Sequence, residues 1–360
     1  MGLLAPGDVV GDRLVVQQPL GQGAYAEVYR VWHEVLGRQA MKVFKHLASD
    51  AETRKLLGEA QLLSRLGHPN IVRVFDAGMI RTAEGVRGYF TMEYLPGGSL
   101  HRLLGEYTNG VVPLDVAVDV IEQMTAGMVA AHQQEPPVLH RDLTLANALI
   151  GFDSRGRRRV LLSDFGLSKH ADPVTQLASA QGTFAFMAPE VQRLLGYSRA
   201  SDVWSLGTIA YVLLTHHFPY SDGGRLDSFS LSRFDRPARP PSHFNDTVDP
   251  ELDRIVLATL ELDPRQRISH AMELAERLRA RHAPATPPRR PEPPPRPPEC
   301  DHGPEHAAAQ TQATRALALA RRPGGLAEAA AELDRAVRRC PCARRRHGYR
   351  VELWRRGVVM

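Results

Sequence analysis

Leu20-Gly21-Gln22-Gly23-Ala24-Tyr25-Ala26-Glu27-Val28 places two glycines, one residue apart, between apolar runs that read as strands. Without side chains at Gly21 and Gly23, backbone amides can approach a phosphate, although a tight hairpin with no ligand would use the same residues. No helix follows the glycines directly, which argues against a dinucleotide-binding fingerprint. Lys42 stands fourteen residues past Val28, inside the apolar run Ala40-Met41-Lys42-Val43-Phe44. An ammonium withdrawn from water needs a carboxylate or a phosphate. Glu59 is the expected partner, because a helix opened by the Ser49/Glu52 capping pattern would put it on the face of Leu56, Leu63 and Leu66. A snorkelling lysine and a rim glutamate are the alternative. A third cluster is Cys340-Pro341-Cys342, with His347 nearby and Cys300 and His302 across a helical hairpin. Thiolates and imidazoles suit zinc, yet the gap between the two cysteines is shorter than the usual two residues, and ordinary tail cysteines are the plainer reading.

The middle of the chain adds a series of strings. His140-Arg141-Asp142-Leu143-Thr144-Leu145-Ala146-Asn147 is followed 22 residues after Asp142 by Asp164-Phe165-Gly166, which comes after the apolar run Val160-Leu161-Leu162. Ala188-Pro189-Glu190, Asp202-Val203-Trp204-Ser205-Leu206-Gly207 and Asp263-Pro264-Arg265-Gln266-Arg267 come later. In this order and at these separations, the sequence resembles the eukaryotic-like (Hanks-type) protein kinase family, bacterial Ser/Thr branch, over roughly residues 10–282.

The resemblance implies an α+β fold of two lobes: a small β-rich lobe with one main helix and a larger helical lobe. It implies a serine/threonine protein kinase that transfers the γ-phosphate of ATP to protein hydroxyls and phosphorylates itself. Asp142 would orient the substrate hydroxyl and accept its proton, while Asn147 and Asp164 would hold Mg²⁺ ions bridging the ATP phosphates. Lys42, paired with Glu59, would bind the α- and β-phosphates. The segment Leu20, Gly21, Gln22, Gly23, Ala24, Tyr25, Ala26, Glu27 and Val28 would cover the nucleotide. Val28, Ala40 and Leu149 would sandwich the adenine, Met92 would stand behind it, and Glu93-Tyr94-Leu95 would offer backbone hydrogen bonds to its edge.

The family pattern also implies regulation. Arg141, before the catalytic aspartate, signals a segment ordered by phosphorylation, since a phosphate opposite a guanidinium makes charge-assisted bonds. Thr175, Ser179 and Thr183 are the acceptors between Asp164 and Glu190; Thr183 matches the position that contacts Asp142, so Thr175 and Ser179 are the expected autophosphorylation sites. Glu190 and Arg267 should form a buried ion pair. Departures from the pattern are Thr144, where a lysine usually meets the γ-phosphate, Ala26 in place of a third glycine, and Phe186 in place of a tyrosine. Thr144 alone favours the competing reading, a kinase-like scaffold that binds nucleotide without efficient transfer.

These residues must be positioned by ordinary elements. Alternating runs around residues 14–16, 28–31, 40–44, 71–75 and 89–93 read as strands, and helical spacings cover 114–133, 200–215 and 251–261. Nine prolines between Pro284 and Pro298 mark an extended linker over 283–304, followed by a helical tail over 305–360 with helices at 307–321 and 326–339. Ala329, Leu333, Ala336 and Pro341 match one helix of a tetratricopeptide repeat, or else belong to a plain amphipathic hairpin. The 360 residues are 43% hydrophobic and 24% charged, a globular balance. The net charge of +5 hides an asymmetry, because residues 283–360 hold 15 arginines and 8 acidic residues. A basic tail with only Tyr349 and Trp354 as aromatics does not suit nucleic-acid binding; it is expected to recruit or regulate through a partner, while the proline-rich linker reads as a simple spacer, with recognition by a polyproline-binding domain as its alternative. No membrane span or secretory signal is apparent, and three cysteines confined to the end of the chain fit a cytoplasmic protein.

Overall fold

The computed structural model describes residues 2–23, 26–45, 64, 66–83, 85–107, 111–165, 184–221, 231–281, 303–320, 322 and 325–355. The helix expected to carry Glu59, the hairpin residues Ala24 and Tyr25, the acceptors Thr175, Ser179 and Thr183, and Cys300 and His302 lie outside the described residues.

Six strands build an antiparallel sheet in the order β1-β2-β3-β4-β6-β5, comprising β1 (Val9–Val10), β2 (Leu14–Gln22), β3 (Ala26–His33), β4 (Gly37–Phe44), β5 (Val74–Thr82) and β6 (Gly85–Glu93). The centre of β4 is buried on both faces, because β3 and β6 flank it and each face has its own cover. Period-two alternation sends Met41 and Val43 into an outer cluster with Val10, Leu14, Val16, Tyr29 and Val31. Ala40 and Phe44, on the opposite side, pack with Phe90 and Met92 on the face turned to the second lobe. Lys42 shares that parity and that side.

The second lobe contains α1 (Leu100–Glu106), α2 (Leu114–His132), the hairpin β7 (Ala148–Phe152) and β8 (Arg158–Leu162), then α3 (Pro189–Gln192), α4 (Arg199–Thr215), α5 (Pro250–Thr259) and α6 (Ala271–Arg281). Every residue of α4 from Ala200 to Thr215 is buried, so this helix is the lobe's central post. It packs so closely on α5 that a Cβ at Gly207 would fall 1.8 Å from the Thr259 hydroxyl. The run at 71–75 divides: Val74 starts β5, whereas Ile71 bridges to Leu162 and the Val72 amide donates to the Leu162 carbonyl at 2.9 Å, tying the lobes together.

The tail contains three helices among the described residues, α7 (Pro304–Leu319), α8 (Leu326–Arg339) and α9 (Pro341–Arg355), where the sequence pointed to two. Pro341 reads as the end of a helix; it sits instead in the first turn of the next one, where its missing amide costs nothing. Ala313, Ala316, Ala329, Leu333, Ala336, Val351 and Trp354 form a separate small core. The tail also meets the second lobe: the Tyr349 ring stacks on His101 of α1 with centroids 6.2 Å apart, and Leu353 joins the main core.

Candidate active site

Lys42 is held by β4, its neighbours across the sheet being Val28 and Phe90. Its ammonium lies 2.7 Å from Oδ1 of Asp164, with the two side chains 11% and 21% exposed. The electrostatic demand of a buried ammonium is therefore met by Asp164. The position of Glu59 falls outside the described residues.

Asp164 follows β8 with Ser163 between. Its φ of 62° is left-handed backbone, uncommon for any residue but glycine, and the surroundings hold it there. Ser163 donates its amide to the Asn147 carbonyl at 2.8 Å and its hydroxyl to the same oxygen at 3.1 Å. Phe165 packs on the ring of His140 at 4.5 Å. Asn147 turns its side-chain nitrogen to Asp142, donating to its carbonyl at 2.7 Å and to Oδ2 at 3.3 Å. Lys42, Asp164, Ser163, Asn147 and Asp142 thus form a continuous series of contacts across 100 residues of sequence. Four of them, Lys42, Asp142, Asn147 and Asp164, are the residues the sequence singled out from distant segments.

What fixes the loop before Asn147 is Asp202, in the first turn of α4. Its Oδ2 accepts the amide of His140 and its Oδ1 the amide of Arg141, each at 2.9 Å. Arg141 is also in left-handed conformation, φ 64°, so the carboxylate clamps a turn that the chain would not adopt unaided. His132 supports the clamp from α2: its Nδ1 accepts the Ala271 amide at 3.3 Å, which leaves Nε2–H to donate to Asp202 at 3.1 Å. Burial pushes the pKa of His140 below its ordinary value, against the opposing pull of Asp202, Asp142 and Asp164. The Asp202 motif is visible in the sequence, but the partners it holds are backbone amides, which carry no sequence signal.

The segment over the cleft is partly as expected. β2 continues to Gln22, β3 resumes at Ala26, and Gly23 donates its amide to the Ala26 carbonyl at 2.9 Å. A Cβ at Gly21 would meet nothing within 4 Å, so packing against the described residues does not explain that glycine. Leu20 and Gln22 are exposed. The Glu27 side chain is placed elsewhere: it accepts the Leu3 amide at 2.8 Å, Gln22 Nε2 at 3.0 Å and the Tyr29 hydroxyl. Burial pushes the Glu27 pKa up, but the hydrogen bonds from Tyr29 and Leu3 and the charge of Lys45 outweigh it and leave the carboxyl below its usual range. Its carboxylate anchors the amino-terminal segment and is not turned to a nucleotide.

Around the expected adenine site, Ala40 and Met92 are sheet partners and both are buried, while Val28, Leu95 and Leu149 are half-buried. The Gly97 amide donates to the Ile150 carbonyl at 3.0 Å, and an added Cβ at Gly97 would fall 2.4 Å from that oxygen; this close approach presses the 93–98 connection onto β7, which carries Leu149. The Glu93 amide is used within the chain, donating to Arg73 at 2.9 Å.

Beyond the cleft, Glu190 and Arg267 pair in fork geometry, Nη1 to Oε1 at 2.6 Å and Nη2 to Oε2 at 2.9 Å. Arg267 also donates to the carbonyls of Ala200 at 3.0 Å and Glu261 at 2.8 Å, and its guanidinium lies 5.0 Å from the Trp204 ring centroid. Phe186 packs on Phe218 at 5.4 Å, and its carbonyl accepts the Ser205 hydroxyl at 2.8 Å. Thr144 is buried and supplies no cation.

The donor set fits a hard cation: with its nitrogen committed to Asp142, Asn147 has its amide oxygen to offer, and Asp164 adds a carboxylate.

The protein kinase domain family matches residues 14–278. The chain is 33% identical over 296 residues to the serine/threonine-protein kinase pkn2 of Myxococcus xanthus, which covers 78% of this chain and 34% of that protein. It is 31% identical over 288 residues to the serine/threonine-protein kinase PknB of Mycobacterium leprae, covering 78% and 45% respectively. This chain therefore spans less than half the length of these relatives. The crystal structure of the PknI kinase domain of Mycobacterium tuberculosis superposes with a TM-score of 0.57 at 25% identity, covering 77% of this chain and 98% of that one. No helix among the described residues is long and apolar enough to cross a membrane.

Proposed function

Because the chain belongs to the protein kinase domain family, we propose that it is a serine/threonine protein kinase that transfers the γ-phosphate of ATP to protein hydroxyls, itself included. The observation that carries this reading is the continuous series from Lys42 through Asp164, Ser163 and Asn147 to Asp142. Asp142 orients the attacking hydroxyl and accepts its proton as the new oxygen–phosphorus bond forms and the bond to the ADP oxygen breaks. Asn147 fixes the Asp142 side chain through its nitrogen. Lys42 places a positive charge beside the phosphates, and the Gly21/Gly23 hairpin covers them. Asn147 and Asp164 would hold Mg²⁺, which supplies charge neutralisation to the triphosphate when bound. Phosphoryl transfer asks mainly for positioning and electrostatic stabilisation, and the clamp of Asp202 on the loop of Asp142 supports the first of these.

Asp142, Asn147 and Asp164 carry the reaction in this reading; Lys42 and the backbone of 20–28, with Val28, Ala40, Met92, Leu95 and Leu149, hold the nucleotide. Residues 10–282 form the catalytic domain, 283–304 the linker and 305–360 a tail that recruits or regulates, in a cytoplasmic setting. The test is incubation of the purified protein with labelled ATP and Mg²⁺, with and without a generic protein substrate. Label is expected on serine and threonine and absent in Lys42→Met and Asp142→Asn. Nucleotide binding without turnover in the unaltered protein would instead favour the scaffold reading.

A further inference from the structure

The cysteines of the tail are not used by the cleft, yet the fold gathers them. Cys340 ends α8 and stands immediately before α9; Cys342 lies in the first turn of α9, and His306 in the first turn of α7. Across 34 residues of sequence, His306 Nδ1 comes within 3.3 Å of Cys340 Sγ. The ligand atoms of His306, Cys340 and Cys342 all lie within 4.8 Å of one another. Cys340 is buried, Cys342 is half-buried, and neither is in a disulfide. The grouping includes His306 rather than His347, whose Nδ1 accepts from Arg350 at 3.3 Å.

We propose that His306, Cys340 and Cys342 bind a thiophilic divalent cation of the zinc type, which fastens the start of α7 to the junction of α8 and α9. Two arguments support it. The donors are two sulfurs and an imidazole, which suits zinc and not magnesium or calcium. Their spacing fits: bond lengths of about 2.3 Å to sulfur and about 2.0 Å to nitrogen put tetrahedral ligands about 3.5–3.8 Å apart, so closure asks for side-chain movement of only about 1 Å. Three protein ligands leave a fourth position for water or a further donor. Alanines at 309 and 343 pack beside the cysteines and keep the surroundings small. The proposal uses none of the phosphotransfer residues and does not depend on their assignment.

The experiment uses the full chain, reduced and freed of metal with a chelator, then titrated with cobalt(II) and afterwards with zinc. Expected are one cobalt per chain, a near-ultraviolet thiolate-to-cobalt charge-transfer band, tetrahedral visible bands, and displacement of both by zinc. Cys342→Ser and His306→Ala should each weaken binding by about a hundredfold or more, at or beyond the upper end of what losing a ligand-supporting hydrogen bond costs. Cys340 is buried, so Cys342→Ser, at a half-buried position, keeps the test decisive if Cys340→Ser does not fold; helical circular dichroism checks each variant. The proposal is overturned if the reduced chain shows no thiolate band, if the band survives in the folded Cys342→Ser protein, or if His306→Ala binds cobalt as tightly as the unaltered chain.

Discussion

The ammonium of Lys42 and the carboxylate of Asp164 are in direct contact at 2.7 Å, across the boundary between the two lobes. Each group is thereby the other's countercharge. An incoming triphosphate must draw the ammonium toward itself, and a cation bound at Asp164 would replace the charge that leaves. Lys42→Met is expected to lower phosphoryl transfer by about 10²–10³-fold, the range found when one preorganised charge is removed from such a site. Asp142→Asn, which removes the proton acceptor of the proposed reaction, is expected to cost about 10²–10⁴-fold. Steady-state rates at saturating ATP check both; a Lys42→Met protein with unaltered turnover contradicts the assignment.

Asp202 never touches a reacting group in this arrangement, yet it holds the two amides that set the path of the Asp142 loop. Asp202→Ala leaves the buried His140 amide, the partly buried Arg141 amide and the His132 imidazole without their acceptor. At about 1–3 kcal/mol for each unsatisfied group, a total loss of about 3–9 kcal/mol is expected, together with a fall of about 10²-fold in turnover from a misplaced loop. Denaturant midpoints measure the first effect. The second is read as a drop in kcat with little change in KM for ATP, which a purely structural weakening of the nucleotide site would not produce.

The Glu190–Arg267 pair is buried and bidentate, with Arg267 further occupied by two carbonyls. Glu190→Ala strands a guanidinium in the interior and should destabilise the protein by about 3–5 kcal/mol, whereas replacing both partners by apolar residues of similar volume should recover much of that loss. A double-mutant cycle on urea midpoints tests this, and equal losses in the single and double variants would contradict it.

Acid should loosen the tail before it unfolds the lobes. His101, under Tyr349, has its pKa pushed down from 6.5 to about 3 by burial first and by Arg350 second. His347 is lowered to about 4 by burial and by Arg350 and Arg346. A histidine kept neutral when folded binds fewer protons than it does unfolded, so its contribution is complete above the unfolded pKa and is lost as pH falls from about 6.5 toward the folded value. Each of the two should add a slope of about 1.4 kcal/mol per pH unit within its window. Limited proteolysis of the tail between pH 7 and 4.5 gives the measurement (about two pH units below the unfolded value); His101→Phe should flatten the profile, and an unchanged profile in that variant excludes His101 as its source.

The sequence alone determined the identity of the groups at the site and the kind of lobes that carry them. Lys42 in an apolar strand follows from local periodicity and burial, which neighbouring residues dictate, whereas the Asp142-to-Asn147 run and Asp164 after Val160-Leu161-Leu162 are picked out by their resemblance to the kinase family pattern. The Glu190–Arg267 pair follows from the same family pattern, and the pairing of Ala40 with Met92 comes from the sheet. Only the tertiary structure decided that Lys42 pairs with Asp164, that Glu27 is spent on Leu3 and Tyr29, that Asp202 grips two backbone amides, and that His306 joins the cysteines. The third tail helix was hidden for a related reason: Arg-rich α9 has little apolar periodicity of its own, and it is fixed by burying Val351, Leu353 and Trp354 against other elements. Side-chain type is written in the chain, whereas the choice among carboxylates, amides and thiols that could satisfy one another is made by distances that exist only once the elements have packed.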